Sequence, residues 1–295
     1  FENVEFEQRD KLNKPIGKLK LEKPMEVVFE GINTNVYKPL KNNELKTFNL
    51  KDIKEDFCFL FVGHWMKGDF GQDRKNVGLL VKSFYEAFKN KKKKPALILK
   101  ASTGVAGYMS RDDILNRIRG LKNGVDSKML PNIYLLDGEF TDSEINELYN
   151  HPKVKAMVSL TKGEGFGRPL LEFTTTGKPV MASGWSGHTM FLNPDHSLLL
   201  PGKLENVHPS AANDWLIQDA QWFSPDVSVV DRAFKELFKN YKNYVSKGKR
   251  QKYHSIKNYS WDKMKELVGQ LLDKYIPEFP KKVNLQLPEL NLPKL

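Results

Sequence analysis

The sequence predicts an α/β domain organised around a doubly wound parallel sheet. Short, fully apolar runs rich in β-branched and aromatic residues recur along the chain, as in strands buried on both faces. Amphipathic helical stretches alternate with them, the pattern of a parallel sheet covered by helices. Each candidate ligand residue follows one of these strands, and such sheets bind ligands outside the carboxyl ends of their strands.

The elements follow in order. Residues 1–25 are polar, mixed in charge and aperiodic. Phe57–Gly63 is an apolar strand ending in glycine. Val77, Leu80, Val81, Phe84, Tyr85 and Phe88 then share one helical face, with Asn76 placed as its N-cap. Pro95–Lys100 is a second strand, Ile114, Leu115 and Ile118 mark a second helix, and Asn132–Asp137 is a third strand. Thr141-Asp-Ser-Glu144 reads as a capping box for a helix carrying Ile145, Leu148 and Tyr149. Val154–Leu160 is a buried strand, and Pro169 opens the next helix, which Gly177 and Pro179 stop. Val180–Ser183 and Ser197–Leu200 are short strands. A helix from Asp226 packs Val229, Val230, Phe234, Leu237, Phe238 and Tyr241, and Tyr259-Ser-Trp261 opens a last helix over Asp262–Tyr275. Residues 277–295, rich in Pro, Leu and Lys, read as an extended tail.

The chemistry concentrates in Thr161-Lys-Gly-Glu-Gly-Phe-Gly-Arg-Pro-Leu-Leu-Glu172. Strand, glycine-rich loop and helix start place free N–H groups where an anion, phosphate above all, is held. Glu164 in the loop and Glu172, placed on the first helical turn, bracket it. Carboxylates beside a phosphate cradle make sense if the ligand also offers hydroxyls, as a sugar nucleotide does at both ends of its diphosphate. From the residues alone, a glycine-rich turn with two surface glutamates is the alternative reading.

Gly163-Glu-Gly-Phe-Gly-x-Pro-Leu-Leu-Glu172 resembles the E-x7-E signature of retaining glycosyltransferases of the GT-B fold, group 1 type. Further landmarks of that family's donor domain occur in order: Val27–Pro39 resembles its inter-domain strand and linker, Asp73-Arg-Lys-Asn-Val77 its diphosphate lysine, and Tyr259-Ser-Trp261 the entry to its closing helix. The resemblance implies a Rossmann-like donor domain over 40–260, a crossing helix over 261–276 and a tail over 277–295. Residues 1–39 would be a remnant of, or linker from, an acceptor domain that is largely missing and would add on the order of 100–200 residues.

The implied roles are specific. Glu164 would orient the donor sugar through its hydroxyls, with the backbone of Gly165, Phe166, Gly167, Arg168, Leu170 and Leu171 holding sugar and diphosphate. Glu172 would take the ribose hydroxyls. Lys75 would neutralise the diphosphate, and Arg74 would replace the arginine that the family places after the first strand's closing glycine. Here His64 follows Gly63, a departure from that pattern. Gly138, Glu139 and Phe140 would frame the base through their backbone. Trp185 is either a stacking platform for a sugar ring or a packed loop aromatic, and His188 a hydrogen-bonding partner for a hydroxyl or phosphate.

The resemblance implies no bound cofactor or metal, with the nucleotide-diphosphate sugar, UDP-sugars included, as co-substrate. It implies a glycan or lipid acceptor and an acceptor domain upstream or supplied in trans. The family's catalytic histidine, which belongs to the acceptor domain, has no counterpart in residues 1–39.

Composition bounds the remaining choices. The chain is 40% hydrophobic and 28% charged, ordinary for a soluble globular protein, and no apolar run is long enough to span a membrane. The lone Cys58 permits no intrachain disulfide and fits a reducing, cytoplasmic setting, with a membrane surface as a peripheral location. Cys/His metal spacings, a G-x-S-x-G elbow and a complete P-loop are missing from the sequence. The net charge of +11 exceeds what a diphosphate needs. Solvated lysine loops such as Lys89–Lys94 account for it, or else nucleic acid, an anionic membrane or an acidic glycan is the counterpart. Two alternatives to a glycan- or lipid-directed enzyme follow: a phage-type sugar transferase acting on modified DNA bases, and a non-catalytic binding or assembly module.

Overall fold

A computed structural model describes residues 4–213 and 216–277 of the chain. Its centre is a six-stranded parallel sheet in the order β5-β4-β3-β6-β7-β8. The strands are β3 (Cys58–His64), β4 (Ala96–Ser102), β5 (Ile133–Leu136), β6 (Val154–Ser159), β7 (Val180–Ser183) and β8 (Leu198–Leu200). β3 pairs in parallel with β4 on one side and β6 on the other. Strand order therefore reverses between β3 and β6, which opens a crevice at their carboxyl ends.

Alternation along β3 shows why its run is apolar throughout. Phe59 and Phe61 pack into one core layer with α1 (Val77–Phe88), α2 (Tyr108–Asn123) and α5 (Val227–Lys239). Cys58 and Leu60 pack into the other, with α3 (Asp142–Asn150), α4 (Arg168–Thr174) and the linker residues Ile32 and Tyr37. A doubly wound sheet is thus present as expected. The capping box of α3 is formed in full, with Thr141 Oγ1 accepting from Glu144 N and the Glu144 carboxylate accepting from Thr141 N. Asp226 caps α5 through Ser228 N at 2.9 Å, and Ser260 caps α7 (Trp261–Tyr275).

Other elements differ from expectation. Residues 1–25 contain a hairpin of β1 (Glu5–Arg9) and β2 (Pro15–Lys20), and a second hairpin joins β9 (Gly202–Asn206) to β10 (Gln221–Pro225). β1 and β2 expose every residue, so no buried face imposed a periodic pattern on them. The strand expected from Val27 is absent; only Ile32 forms an isolated bridge, to Ser260. α6 (Tyr241–Tyr259) went unread because its apolar positions are few and its surface is polar. Asn76 is not a side-chain cap: its backbone is left-handed (φ 56°), and Asp73 Oδ2 accepts from Val77 N instead. Beyond its first residue, the expected 277–295 tail lies outside the described residues. No helix among the described residues is long and apolar enough to cross a membrane.

Candidate active site

The crevice is built from three loops at the sheet's carboxyl edge. The loop after β3 brings Arg74 and Lys75, the loop after β6 brings Gly163–Gly167, and the loop after β7 brings Ser183–His188. Backbone bonds tie them together: Lys162 N donates to Arg74 O at 2.8 Å, and Phe223 N, from β10, donates to Lys162 O at 2.8 Å. The hairpin missed in the sequence therefore braces the base of the site.

Glu164 is the hub. Lys75 Nζ donates to its Oε1 at 2.6 Å, and Arg74 Nη1 reaches Oε2 at 3.3 Å and the Gly163 carbonyl at 2.7 Å. Lys75 runs past Gly63, where a Cβ would lie 3.7 Å from Lys75 Cε. Burial pushes the Glu164 carboxyl up, but the charge and hydrogen bond of Lys75, helped by Arg74, hold it below the usual glutamate value. Burial outweighs the same pairing at Lys75, where Arg74 adds repulsion, so its ammonium sits below the usual lysine value. A carboxylate that accepts these bonds retains lone pairs for further donors.

Ser186 lies in the Ser183–His188 loop that the family resemblance places at the cleft, with no role of its own expected there, and it fixes the Glu164 backbone from both sides. Its Oγ accepts from Glu164 N at 2.8 Å and donates to Glu164 O at 2.6 Å. Gly187 N adds a bond to Glu164 O at 3.1 Å, and a Cβ at Gly187 would overlap the Gly165 carbonyl. No motif marks these two residues; their role arises only when the β6 and β7 loops meet.

Among the described residues, the N–H groups of Gly165, Phe166, Gly167 and Arg168 have no hydrogen-bond acceptor. Gly167 turns this run with φ 95°, a conformation glycine adopts without strain. Four successive unpaired donors at a helix start make an anion cradle. It is shorter than expected, because the amides of Leu170 and Leu171 both bond to Gly167 O. Their side chains are buried in the core.

Glu172 is the fifth residue of α4, one turn later than expected. Its Oε1 lies 3.2 Å from Arg168 Nη2, and its Oε2 accepts from the Tyr149 hydroxyl at 3.4 Å. Burial raises its carboxyl above the usual glutamate value, with Arg168 opposing. Glu172 lines a cavity of about 240 Å³ with Tyr37, Asp142, Arg168 and the linker residues Glu30–Asn33. Glu164 lines a separate, narrow recess with Lys75, Gly167 and Pro169. The two glutamates therefore line separate cavities rather than one common cleft.

The remaining candidates divide. His64 is exposed, with Nδ1 2.9 Å from Ser102 Oγ, and partial desolvation with the charges of Lys100 and Lys75 holds its imidazole below the usual value. Gly138 has φ 123°, which turns the chain toward Glu139, exposed, and Phe140, whose ring packs 5.2 Å from that of Phe48. Trp185 stacks on Phe223 (6.2 Å, 7° between planes), so one ring face is already covered. His188 is fully buried behind Gly167 with Nε2 2.6 Å from Ser183 O and Nδ1 unpartnered. As placed, it offers no exposed atom to a substrate hydroxyl. Among the described residues no cluster of His, Cys, Asp and Glu could hold a metal ion.

No family model matches the chain, and no curated protein matches its sequence. Solved structures do match its shape. HepE of Anabaena in complex with UDP and glucose superposes with a TM-score of 0.58 at 13% identity, over 84% of this chain and 57% of that one. The glycosyltransferase from Rickettsia africae gives 0.58 at 16% identity, over 84% and 56%. The C-terminal domain of the group 1 glycosyl transferase LpcC from Francisella tularensis gives 0.54 at 14% identity, over 78% of this chain and 100% of that domain. The chain therefore spans little more than half of the Anabaena and Rickettsia chains it resembles. It has the fold of the C-terminal, donor-side domain of GT-B glycosyltransferases.

Proposed function

We propose that the chain is the donor-binding part of a retaining glycosyltransferase that moves a hexose from a nucleotide-diphosphate sugar to an acceptor hydroxyl on a glycan or lipid. The observation that carries this reading is the row of four unpaired amides at Gly165–Arg168, flanked by Glu164 with its Lys75 and Arg74 partners and, beyond α4's first turn, by Glu172. An anion with hydroxylated groups at both ends matches that order of donors and acceptors. UDP is the favoured nucleotide, since the Anabaena neighbour was solved with UDP and glucose.

As the bond from sugar C1 to the diphosphate oxygen breaks, negative charge gathers on the leaving group. The fixed amides and the cations of Lys75 and Arg74 stabilise that charge where it develops. Glu164, itself fixed by Ser186, sets the sugar's orientation rather than transferring a proton. Glu172 anchors the ribose and shares Arg168 in doing so. No nucleophile is assigned to this chain.

Calorimetric titration with UDP and with UDP- and GDP-sugars tests the reading. Binding should be detected for at least one donor, and Glu172→Ala should weaken it by about 1–3 kcal/mol, as loss of a charged acceptor does. Unchanged affinity in that variant removes the ribose role; absence of binding by any sugar nucleotide removes the whole assignment.

A further inference from the structure

The surplus positive charge is concentrated. α6 carries Lys242, Lys247, Lys249, Arg250, Lys252 and Lys257 and no Asp or Glu, so this one helix contributes six positive charges to the chain's net +11. Among the described residues none of the six forms a salt bridge. Lys249, Arg250, His254 and Lys257 face His196 across a groove of about 490 Å³, a volume suited to a small ligand, and no carboxylate lines it.

The groove is held open by a buried glutamine. Gln251 Oε1 accepts from Asn193 N at 2.9 Å and Ser197 Oγ at 3.1 Å, while its Nε2 donates to Phe191 O at 2.7 Å. These bonds fix the loop carrying His196 against α6. His196 Nδ1 is buried with no partner, a polar atom left unsatisfied. Lys249 and Lys257 are eight residues apart, about 12 Å along the helix axis. That span accommodates two phosphate groups, and Arg250, next to Lys249, adds a guanidinium fork to the same groove. The groove also stands apart from the donor cradle: α6 meets α4 at Gly177, beyond its C-terminal end, where Gly248 packs against the Gly177 carbonyl.

We propose that this groove binds a ligand carrying two or more clustered phosphate groups, either a soluble compound or the headgroup of a phosphorylated lipid. Binding of inorganic tripolyphosphate is measured by calorimetry, and binding to phosphatidylcholine vesicles with and without phosphatidylinositol bisphosphate by co-sedimentation, with a DNA duplex as the competing macromolecule. The variant Lys249→Gln/Arg250→Gln/Lys257→Gln changes exposed side chains only, and its melting temperature verifies the fold. It should bind at least about tenfold more weakly, as expected when charge-assisted bonds to phosphate are lost. Lys91→Gln/Lys92→Gln/Lys93→Gln, with the same change in charge, should bind like the parent, whereas Lys75→Gln removes only whatever tripolyphosphate the donor cradle itself holds. Tripolyphosphate binding alone identifies a soluble ligand, and vesicle binding alone identifies a headgroup. The proposal falls if the Lys91–Lys93 variant loses as much, if Lys75→Gln alone abolishes binding, if neither probe binds, or if only a DNA duplex does.

Discussion

Glu164 shows how much of the site rests on a single buried charge. Its carboxyl lies below the usual glutamate value because Lys75 and Arg74 overcome the burial that would raise it. A depressed carboxylate contributes stability that is present above the ordinary value near 4.3 and is lost as pH falls through its folded value. Lys75→Ala leaves Glu164 buried with Arg74, at 3.3 Å, as its remaining cation, so burial dominates and the carboxyl rises. The variant should be about 3–5 kcal/mol less stable than the parent at neutral pH, with the gap narrowing as pH drops below about 4. Urea denaturation at both pH values checks this, and a gap independent of pH would mean the pair contributes no net charge coupling. Gly187→Ala forces its new methyl group into the Gly165 carbonyl and must displace the Glu164 loop. It should weaken donor binding at least about tenfold while costing about 1–3 kcal/mol in stability. Unchanged affinity in calorimetry would show that the two loops move independently of the ligand. Glu164, Glu172, Lys75 and the loop glycines were legible in the sequence because motif and spacing mark them. Ser186 and Gly187 were not, since nothing local distinguishes a serine and a glycine that act only through a neighbouring strand's loop.

At the scale of elements, the front linker and the helix junction form one unit. Ile32 N donates to Tyr259 O at 2.8 Å, and Trp261 N donates to Ile32 O at 2.9 Å. The Tyr259 hydroxyl in turn donates to Met190 O, tying the junction to the turn after His188. Gly31 permits this close approach: a Cβ there would lie 2.9 Å from Trp261 Cα and 3.0 Å from Ser260 O. Gly31→Ala should therefore lift the linker from the junction and loosen the cavity beside Glu172 that Gly31, Ile32 and Asn33 help to wall. Hydrogen exchange at the Ile32 and Trp261 amides should speed up at least about tenfold, reporting a local opening rather than global unfolding. If exchange there stays at the parent rate, the linker absorbs the methyl group and the junction is not a close-packed unit. This contact also explains a gap in the sequence reading. Val27–Pro39 was recognisable as a linker by resemblance, but its backbone pairs with Tyr259 and Trp261 rather than in a sheet, and Val27 and Val28 stay exposed. Apolar residues with no regular alternation carry no signal for such a partner. The central strands were legible for the opposite reason: burial on both faces leaves no polar position to blur the run.

Across the whole molecule, stability and ligand chemistry occupy different regions of the same sheet. Phe59, Phe84, Phe88 and Phe234 meet edge to face and at tilted angles on one face, with Phe59 and Phe234 centroids 5.0 Å apart and the rings of Phe84 and Phe234 5.7 Å apart. The cluster joins β3, α1 and α5, whereas Glu164, Lys75 and the free amides lie at the carboxyl edge. Phe234 is fully buried, so Phe234→Ala removes a large core side chain and leaves a cavity, at a cost of about 3–5 kcal/mol. It touches no residue of the cradle. Substitutions that are distant and share no partners add independently, within a few tenths of a kcal/mol. Phe234→Ala should therefore lower the denaturation midpoint strongly yet bind a sugar nucleotide with parental affinity at a temperature where it remains folded. Glu172→Ala should weaken binding of the sugar nucleotide at a smaller stability cost of about 1–3 kcal/mol, because it leaves the fully buried Tyr149 hydroxyl without the Glu172 acceptor. Denaturation and calorimetry on the two single variants and the double variant complete the cycle. A coupling above about 0.5 kcal/mol in either quantity would show that the aromatic layer and the carboxyl edge are one cooperative unit, with the sheet transmitting strain from α5 to the ligand.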